Sequence, residues 1–133
     1  MTHCHPVRVY YEDTDLAGIV YYANYLKFIE RGRSEWVRER GIDQTVLKAA
    51  QGIVFAVRKV DADYLKPARF DDELQVLTKL LALGGARIEL RQEIWRAGVM
   101  LFTAYVVLVC VTESDHPARI PAEVRARLEP SHA

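Results

Sequence analysis

Two aspartates separated by one residue, Asp13 and Asp15, are the side chains best placed for chemistry. A short strand is predicted before them over 7–11, where apolar and polar residues alternate, and a helical pattern follows them. If extended geometry persists through this turn, both carboxylates point to one side, which raises the proton affinity of one of them. A carboxylate can then serve as a nucleophile or a general base. The alternative is that both residues only form and cap the turn.

A long helix is predicted directly after this turn, beginning near Tyr22 to Asn24 and ending at about Arg40, with Gly41 as its stop. Free backbone N–H groups at the start of a helix favour developing negative charge. An acid before the turn and N–H donors after it are the two components that acyl transfer requires.

Other catalytic chemistries lack the residues they need. The histidines lie near the chain ends or in a late polar loop, and there is no Gly-x-Ser-x-Gly or phosphate-binding glycine motif. We therefore expect no serine–histidine or cysteine–histidine nucleophile. The alternating His3, Cys4 and His5 fall in a predicted loose end over 1–6, and no second cluster completes a metal site. We expect neither a metal nor a cofactor.

The rest of the sequence predicts a scaffold for the turn. Apolar residues of the long helix form one stripe that includes Gly32, which indicates a close approach to a sheet. The following elements are a helix from Asp43 through Ala50, strands Ile53 to Leu65, Glu73 to Leu83, Arg87 to Arg96 and Val99 to Thr112, and a helix Ala122 to Leu128 in a peripheral segment 117–133. We predict one α+β domain over 1–133, with an antiparallel sheet and at least dimeric assembly.

Composition limits the possible partners. Lysine plus arginine equals aspartate plus glutamate, 18 each, so the formal charge of zero argues against a nucleic-acid-binding protein. The longest apolar run, over 99–111, is too short to cross a bilayer, and no secretory signal is visible. Two cysteines are too few for a disulfide framework. We expect a cytoplasmic protein without membrane insertion.

Several motifs resemble a known family over most of the chain, from about Val7 to Pro121. The signature of the hotdog-fold 4-hydroxybenzoyl-CoA thioesterase family is similar to Tyr11-Glu12-Asp13-Thr14-Asp15-x-x-Gly18-x-Val20-x-x-x-x-Tyr25 followed by Glu30-Arg31-x-Arg33-x-Glu35. Later segments also fit, namely Phe55-Ala56-Val57-Arg58-Lys59, Tyr64-x-x-Pro67-Ala68-Arg69-x-Asp71-Asp72 and Val107-Leu108-Val109-Cys110-Val111. The resemblance is greatest to the branch encoded with the Tol–Pal envelope system.

This resemblance implies a hotdog fold of about five strands wrapped around one long helix, and hydrolysis of an acyl-CoA thioester. It places the catalytic aspartate at Asp15 and the oxyanion donor at the backbone N–H of Tyr22, with active sites at a dimer interface. Many members of the Tol–Pal branch have a histidine where this chain has Tyr22. The main-chain N–H at position 22 is present with either residue, whereas acid–base catalysis by a histidine side chain is lost.

Further site residues follow from the same comparison and are weighed against simpler roles. Gly18 gives the turn its backbone freedom, and Tyr11 and Tyr25 either line an acyl pocket or pack in the core. Arg58, Lys59 and Arg87 either meet the phosphates of coenzyme A or are only solvated.

The predicted partners are an acyl-CoA, with acyl carrier protein as an alternative carrier, and further copies of the chain in a homodimer or homotetramer. Two other functions stay open. One is a hotdog hydratase or dehydratase, and the other is a module that binds acyl-CoA or acyl carrier protein without catalysis.

Overall fold

A computed structural model describes residues 2–129, which form a five-stranded antiparallel sheet wrapped around one long helix. The strands are β1 Thr2–Arg8, β2 Ile53–Tyr64, β3 Glu73–Leu83, β4 Arg87–Arg96 and β5 Val99–Thr112, and the helices are α1 Asn24–Glu39, α2 Gln44–Gln51 and α3 Ala122–Leu128. A short 3₁₀ turn, Tyr11–Asp13, precedes α1. Met1 and residues 130–133 of the predicted peripheral segment lie outside the described residues.

The sheet has the strand order β1-β3-β4-β5-β2. Alternate residues are buried along most of β3, β4 and β5, and the apolar stripe of α1 packs on the sheet through fully buried Phe28, Ile29 and Trp36. The most apolar strand, β5, lies between β4 and β2 and therefore has no free edge. The predicted α+β architecture is confirmed.

The chain start departs from expectation. We predicted a loose end over 1–6 and a strand over 7–11, but Thr2–Arg8 pairs with β3 along its whole length, from Thr2 opposite Lys79 to Arg8 opposite Glu73. The prediction of a loose end is wrong for residues 2–6. The composition of this polar segment did not indicate a strand. The segment is extended because the edge of β3 supplies its hydrogen-bond partners.

The end of the described chain is anchored by apolar residues of α3 and of the segment before it. Helix α3 has the predicted bounds, and its residues Val124 and Leu128 are buried together with Ile120. Their spacing of four residues places one apolar stripe against the core. The described part of 117–133 therefore packs on the domain through these three residues.

Helix α1 lies unusually close to the sheet at Gly32. A Cβ atom added to Gly32 would lie 2.6 Å from Cγ1 of Val76 on β3, which confirms the predicted close approach. Beside it, the buried Gln92 of β4 donates from Nε2 to the Ile29 carbonyl oxygen and to Thr78 Oγ1, each at 2.9 Å. Glycine and glutamine thus fix the distance and rotation of α1 relative to the sheet.

Strand β2 contains a β-bulge in its middle. Val57 lies opposite Leu108 and Lys59 lies opposite Val107, so that Arg58 has no partner on β5. Beyond the bulge, Tyr64 lies opposite Phe102, whose side chain is in the core. The last residue of β2 therefore faces the side of the sheet that α1 covers.

Candidate active site

The acidic turn is a tight hairpin that joins the 3₁₀ turn to the start of α1. Thr14 and Val20 form a β-bridge, the Asp15 N–H donates to the Ile19 carbonyl oxygen at 2.9 Å, and the Gly18 N–H donates to the Asp15 carbonyl oxygen at 3.0 Å. Gly18 has φ 79°, which a residue with a side chain rarely adopts. The backbone freedom predicted for Gly18 is therefore used to place Asp15 at the base of this hairpin.

The two aspartates have different environments and do not form a carboxylate pair. Asp13 is 8% exposed, and its Oδ2 accepts a hydrogen bond from the Tyr10 N–H at 2.8 Å. Asp15 is exposed, and its Oδ1 accepts from the Ala17 N–H at 2.9 Å. Because the 3₁₀ turn interrupts the extended backbone, the condition under which both carboxylates would point to one side is not met. Asp13 is a capping residue, which was the alternative.

A buried asparagine fastens the turn to the helix. Asn24, the first residue of α1, donates from Nδ2 to the Asp13 carbonyl oxygen at 2.9 Å, and the Tyr21 N–H donates to the same oxygen at 2.9 Å. This shared acceptor lies two residues before Asp15 and thereby fixes the hairpin relative to α1. Asn24 gave no functional signal in the sequence, because a polar residue at a helix start is common.

The N-terminus of α1 has no side-chain cap. Ala23 occupies the N-cap position, and across residues 2–129 no protein acceptor receives the Tyr22 N–H. The Asn24 and Leu26 N–H groups bond to nearby carbonyl oxygens, those of Tyr21 and Ala23. The Tyr22 N–H is thus a free donor at the positive end of the helix dipole.

An apolar cleft of about 300 Å³ opens beside this donor, lined by Ile19, Val20, Tyr22, Tyr25, Tyr64, Leu65, Lys66 and Pro67. Its floor is aromatic: the Tyr25 ring stacks on Phe102 with centroids 5.4 Å apart and meets the edge of Tyr64 at 5.3 Å. Such a wall suits an apolar acyl group of modest size. Tyr25 is at once a lining residue of the cleft and a buried residue of the core, which are the two roles weighed for it.

Tyr25 is held protonated in this wall. Its hydroxyl oxygen accepts a hydrogen bond from the Ala68 N–H at 2.9 Å. Burial raises the pKa of Tyr25, and the negative charge of Asp15 contributes to the same direction. Asp15 itself is not among the residues that line the cleft, and its hairpin contributes Ile19 and Val20 to the lining.

A larger cavity of about 880 Å³ lies elsewhere, between β1, β3 and the β4–β5 turn. Its charged groups already pair with one another, Arg8 with Asp71 and Arg96 with Asp72. Such paired groups have their hydrogen-bonding capacity satisfied within the protein, so this cavity is a weaker candidate than the smaller cleft.

Four predicted substrate-binding residues lie away from the cleft within one chain. Tyr11 is 77% exposed and stacks on Phe70 at 4.0 Å. The other three are exposed on the sheet: Arg58 lies in the bulge, Lys59 Nζ lies 5.8 Å from the Tyr105 ring centroid, and Arg87 Nε lies 3.8 Å from a Glu89 carboxylate oxygen. Their contacts with a substrate stay predictions.

Comparison with known proteins defines the class to which this fold and site belong. Residues 17–103 match the sequence profile of the thioesterase superfamily, and the chain belongs to this superfamily. The wrapped sheet is the hotdog fold. A mutant 4-hydroxybenzoyl-CoA thioesterase, solved in complex with 4-hydroxybenzoyl-CoA, superimposes with a TM-score of 0.91 at 18% identity, over 96% of this chain and 99% of that one.

Relatives with higher identity are acyl-CoA thioesterases by name. The acyl-CoA thioesterase YbgC of Haemophilus influenzae is 42% identical over 122 residues, which are 91% of this chain and 90% of that protein. The acyl-CoA thioester hydrolase YbgC of Escherichia coli O157:H7 is 43% identical, over 93% of each chain. A probable thioesterase from Bartonella henselae has a TM-score of 0.88 at 38% identity, over 91% of this chain and 100% of its own.

Proposed function

We propose that this chain hydrolyses an acyl-CoA thioester to the free acid and coenzyme A, with Asp15 as nucleophile or general base and the Tyr22 N–H as oxyanion donor. One observation carries the proposal: the Asp15 hairpin and an uncapped helix start meet at the same apolar cleft. The names of the related YbgC proteins support the substrate class.

Only one of the two oxygens of the Asp15 carboxylate is hydrogen-bonded among the described residues. Oδ1 is held by the Ala17 N–H, whereas Oδ2 accepts no hydrogen bond from any group within residues 2–129. The bound oxygen orients the carboxylate, and the other is available for attack on the thioester carbon or for taking a proton from water. Both routes need the same placement, so the choice between them stays open.

The helix start stabilises the charge that either route creates. Attack on the carbonyl carbon moves an electron pair onto the carbonyl oxygen, which the Tyr22 N–H would bind. The tetrahedral intermediate then collapses and expels the coenzyme A thiolate. If Asp15 attacked, the product is a mixed anhydride, which water hydrolyses to the free acid and regenerates the carboxylate. If Asp15 activated water, the acid forms directly.

The side chain of Tyr22 is not required for this donor. Its ring is 62% exposed and meets the edge of Tyr64 at 6.3 Å, while the donor is the main-chain N–H. A tyrosine in place of the histidine seen in many members of the branch therefore leaves the main-chain interaction available.

The cleft lies at the end of the edge strand β2, which contributes Tyr64 to its lining. This 12-residue edge strand exposes Val57 and Val60, and the cleft residues Tyr64 and Leu65 are 46% and 49% exposed. A second copy docked along β2 would cover these apolar groups and wall the cleft. We therefore propose a homo-oligomer built on β2, either a dimer or a tetramer of such dimers.

Two alternative functions make different predictions for an assay. Hydration of an enoyl thioester in related hotdog enzymes uses a histidine with an acid, and the residues that line this cleft include no histidine. A non-catalytic module would bind acyl-CoA without releasing thiol. Crotonyl-CoA hydration and thiol release, measured side by side, distinguish the three functions. An acyl-carrier-protein thioester added to the panel tests the alternative carrier.

The decisive experiment is the Asp15→Asn variant. Asparagine keeps the shape and the hydrogen bond from Ala17 but cannot attack or accept a proton, so kcat should fall by about 10²- to 10⁴-fold with the fold retained. The matched control is Asp115→Asn, an exposed aspartate with φ 64° in a remote loop, which should keep full activity. Undiminished hydrolysis by Asp15→Asn would reject the assignment. Location in the cytoplasm and association with the Tol–Pal system stay predictions.

A further inference from the structure

Among residues 2–129, the hydroxyl of Tyr64 makes one hydrogen bond, and it is with the main chain just before α1. Tyr64 Oη donates to the Tyr22 carbonyl oxygen at 3.0 Å, which joins the end of β2 to a residue 42 positions earlier. Burial raises the pKa of Tyr64, so the phenol stays a neutral donor at physiological pH. The Tyr64 ring is fixed independently, because it also meets Tyr25 and Phe102 edge-on at 5.3 Å and 5.1 Å.

No other group in the described part of the chain donates a hydrogen bond to the Tyr22 carbonyl oxygen. In a regular helix this oxygen would accept the N–H of the residue four positions later, Leu26. Here the Leu26 N–H bonds instead to the Ala23 carbonyl oxygen at 3.2 Å. The Tyr22 N–H lies in the peptide plane of the Tyr21 carbonyl, whose oxygen accepts from the Asn24 N–H at 2.8 Å, and the Tyr22 carbonyl lies in the next plane. The bond from Tyr64 holds this second plane, so that both planes that meet at the Tyr22 Cα are anchored.

We infer that Tyr64 is a positioning residue for thioester hydrolysis: its hydroxyl holds the Tyr22 main chain so that the Tyr22 N–H points at the substrate carbonyl oxygen. This inference rests on the proposed function. Tyr64 belongs to the edge strand that we propose as the subunit interface, so the same residue links that interface to the oxyanion donor.

The test is Tyr64→Phe, which removes the hydroxyl and keeps the ring contacts. A misdirected donor stabilises the transition state less, whereas it changes the binding of the substrate little. We therefore expect kcat to fall about tenfold while KM stays within twofold. The control is Tyr105→Phe, which removes a hydroxyl bonded to Glu89 on the opposite face of the sheet and should leave both constants unchanged. The substrate is whichever of benzoyl-CoA and hexanoyl-CoA the unmodified enzyme hydrolyses faster.

A spectroscopic measurement separates positioning from general weakening of the structure. In an Asp15→Asn background, the infrared carbonyl stretch of bound acyl-CoA, labelled with ¹³C at the thioester carbon, reports the hydrogen bond to its oxygen. The added Tyr64→Phe change should reduce the shift of this band relative to free acyl-CoA, and Tyr105→Phe should not.

Each remaining outcome has one meaning. Unchanged kcat and carbonyl stretch in Tyr64→Phe, with Asp15→Asn inactive, overturn the role of Tyr64 and leave the proposed function standing. A raised KM with unchanged kcat also overturns the positioning role of Tyr64, because such a result indicates direct contact between Tyr64 and the substrate. An unmodified protein that hydrolyses neither substrate nor any other in the thioester panel overturns the proposed function and this inference with it.

Discussion

The close approach of α1 to the sheet at Gly32 makes a quantitative prediction. A Cβ on residue 32 would lie 2.6 Å from Val76 Cγ1, whereas carbon atoms in contact prefer about 3.5–4.0 Å, so helix and strand must separate by roughly 1 Å. Overpacking of this kind costs about 1–3 kcal/mol, and the higher helix propensity of alanine returns about 1 kcal/mol. Gly32→Ala should therefore destabilise the fold by about 1 kcal/mol.

The sign of this effect should reverse in a second background. Val76 is fully buried, and Val76→Ala removes the atoms that the new methyl group would strike, at a cost of about 2 kcal/mol for the lost methyl groups and the cavity. In that background, Gly32→Ala fills part of the cavity and gains helix propensity. The double variant should therefore be more stable than Val76→Ala alone.

Urea unfolding of the four proteins, at one protomer concentration because association contributes to stability, measures this cycle. The reasoning fails if Gly32→Ala changes the unfolding free energy equally in both backgrounds. The single Gly32→Ala variant should also lose activity, since a 1 Å displacement of α1 moves the donor at its start and can cost about 10²-fold in rate.

The remaining predictions concern assembly and pH. Light scattering after gel filtration should give a molecular mass of at least twice the 15.2 kDa of one chain. The Val57→Lys variant places a charge at the exposed edge of β2 and should lower that mass. An unmodified protein that is monomeric at micromolar concentration contradicts the proposed interface. Burial raises the pKa of Tyr25, so above about pH 10 the native state binds more protons than the unfolded chain and the unfolding free energy falls as pH rises. In urea titrations at pH 9 to 11, the Tyr25→Phe variant should show a smaller fall of the unfolding free energy with pH. The variant is also less stable at neutral pH, because the Ala68 N–H loses its acceptor. If the fall with pH is the same in both proteins, Tyr25 is not its cause.

Periodic patterns predicted most of the scaffold. Strands β3, β4 and β5 and helix α3 have the predicted bounds, because alternation and turn residues are local signals. Strand β1 was missed because its residues alternate without a clear apolar face, and its pairing depends on the distant edge of β3. Only the pairing partner, which lies about 70 residues further along the chain, makes this segment a strand.

Sequence patterns also did not predict the polar contacts between residues that are far apart along the chain. The hydrogen bonds from Tyr64 to Tyr22 and from Gln92 to Ile29 join residues 42 and 63 positions apart, and such pairs leave no periodic trace. The position of Asp15 beside a helix start could be predicted from the order of elements. The different surroundings of Asp13 could not, since they depend on a 3₁₀ turn within three residues.

The unpaired Arg58 of β2 has an effect on residues that it does not touch. Side chains along a strand point alternately to its two faces, so one extra residue exchanges the faces of everything that follows it. Val57 and Tyr64 are an odd number of positions apart, yet both lie on the helix-facing side because of that insertion. The identity of the tyrosine is encoded at position 64, but its access to the start of α1 depends on the residue inserted six positions upstream, because that insertion sets the face of the strand on which Tyr64 lies.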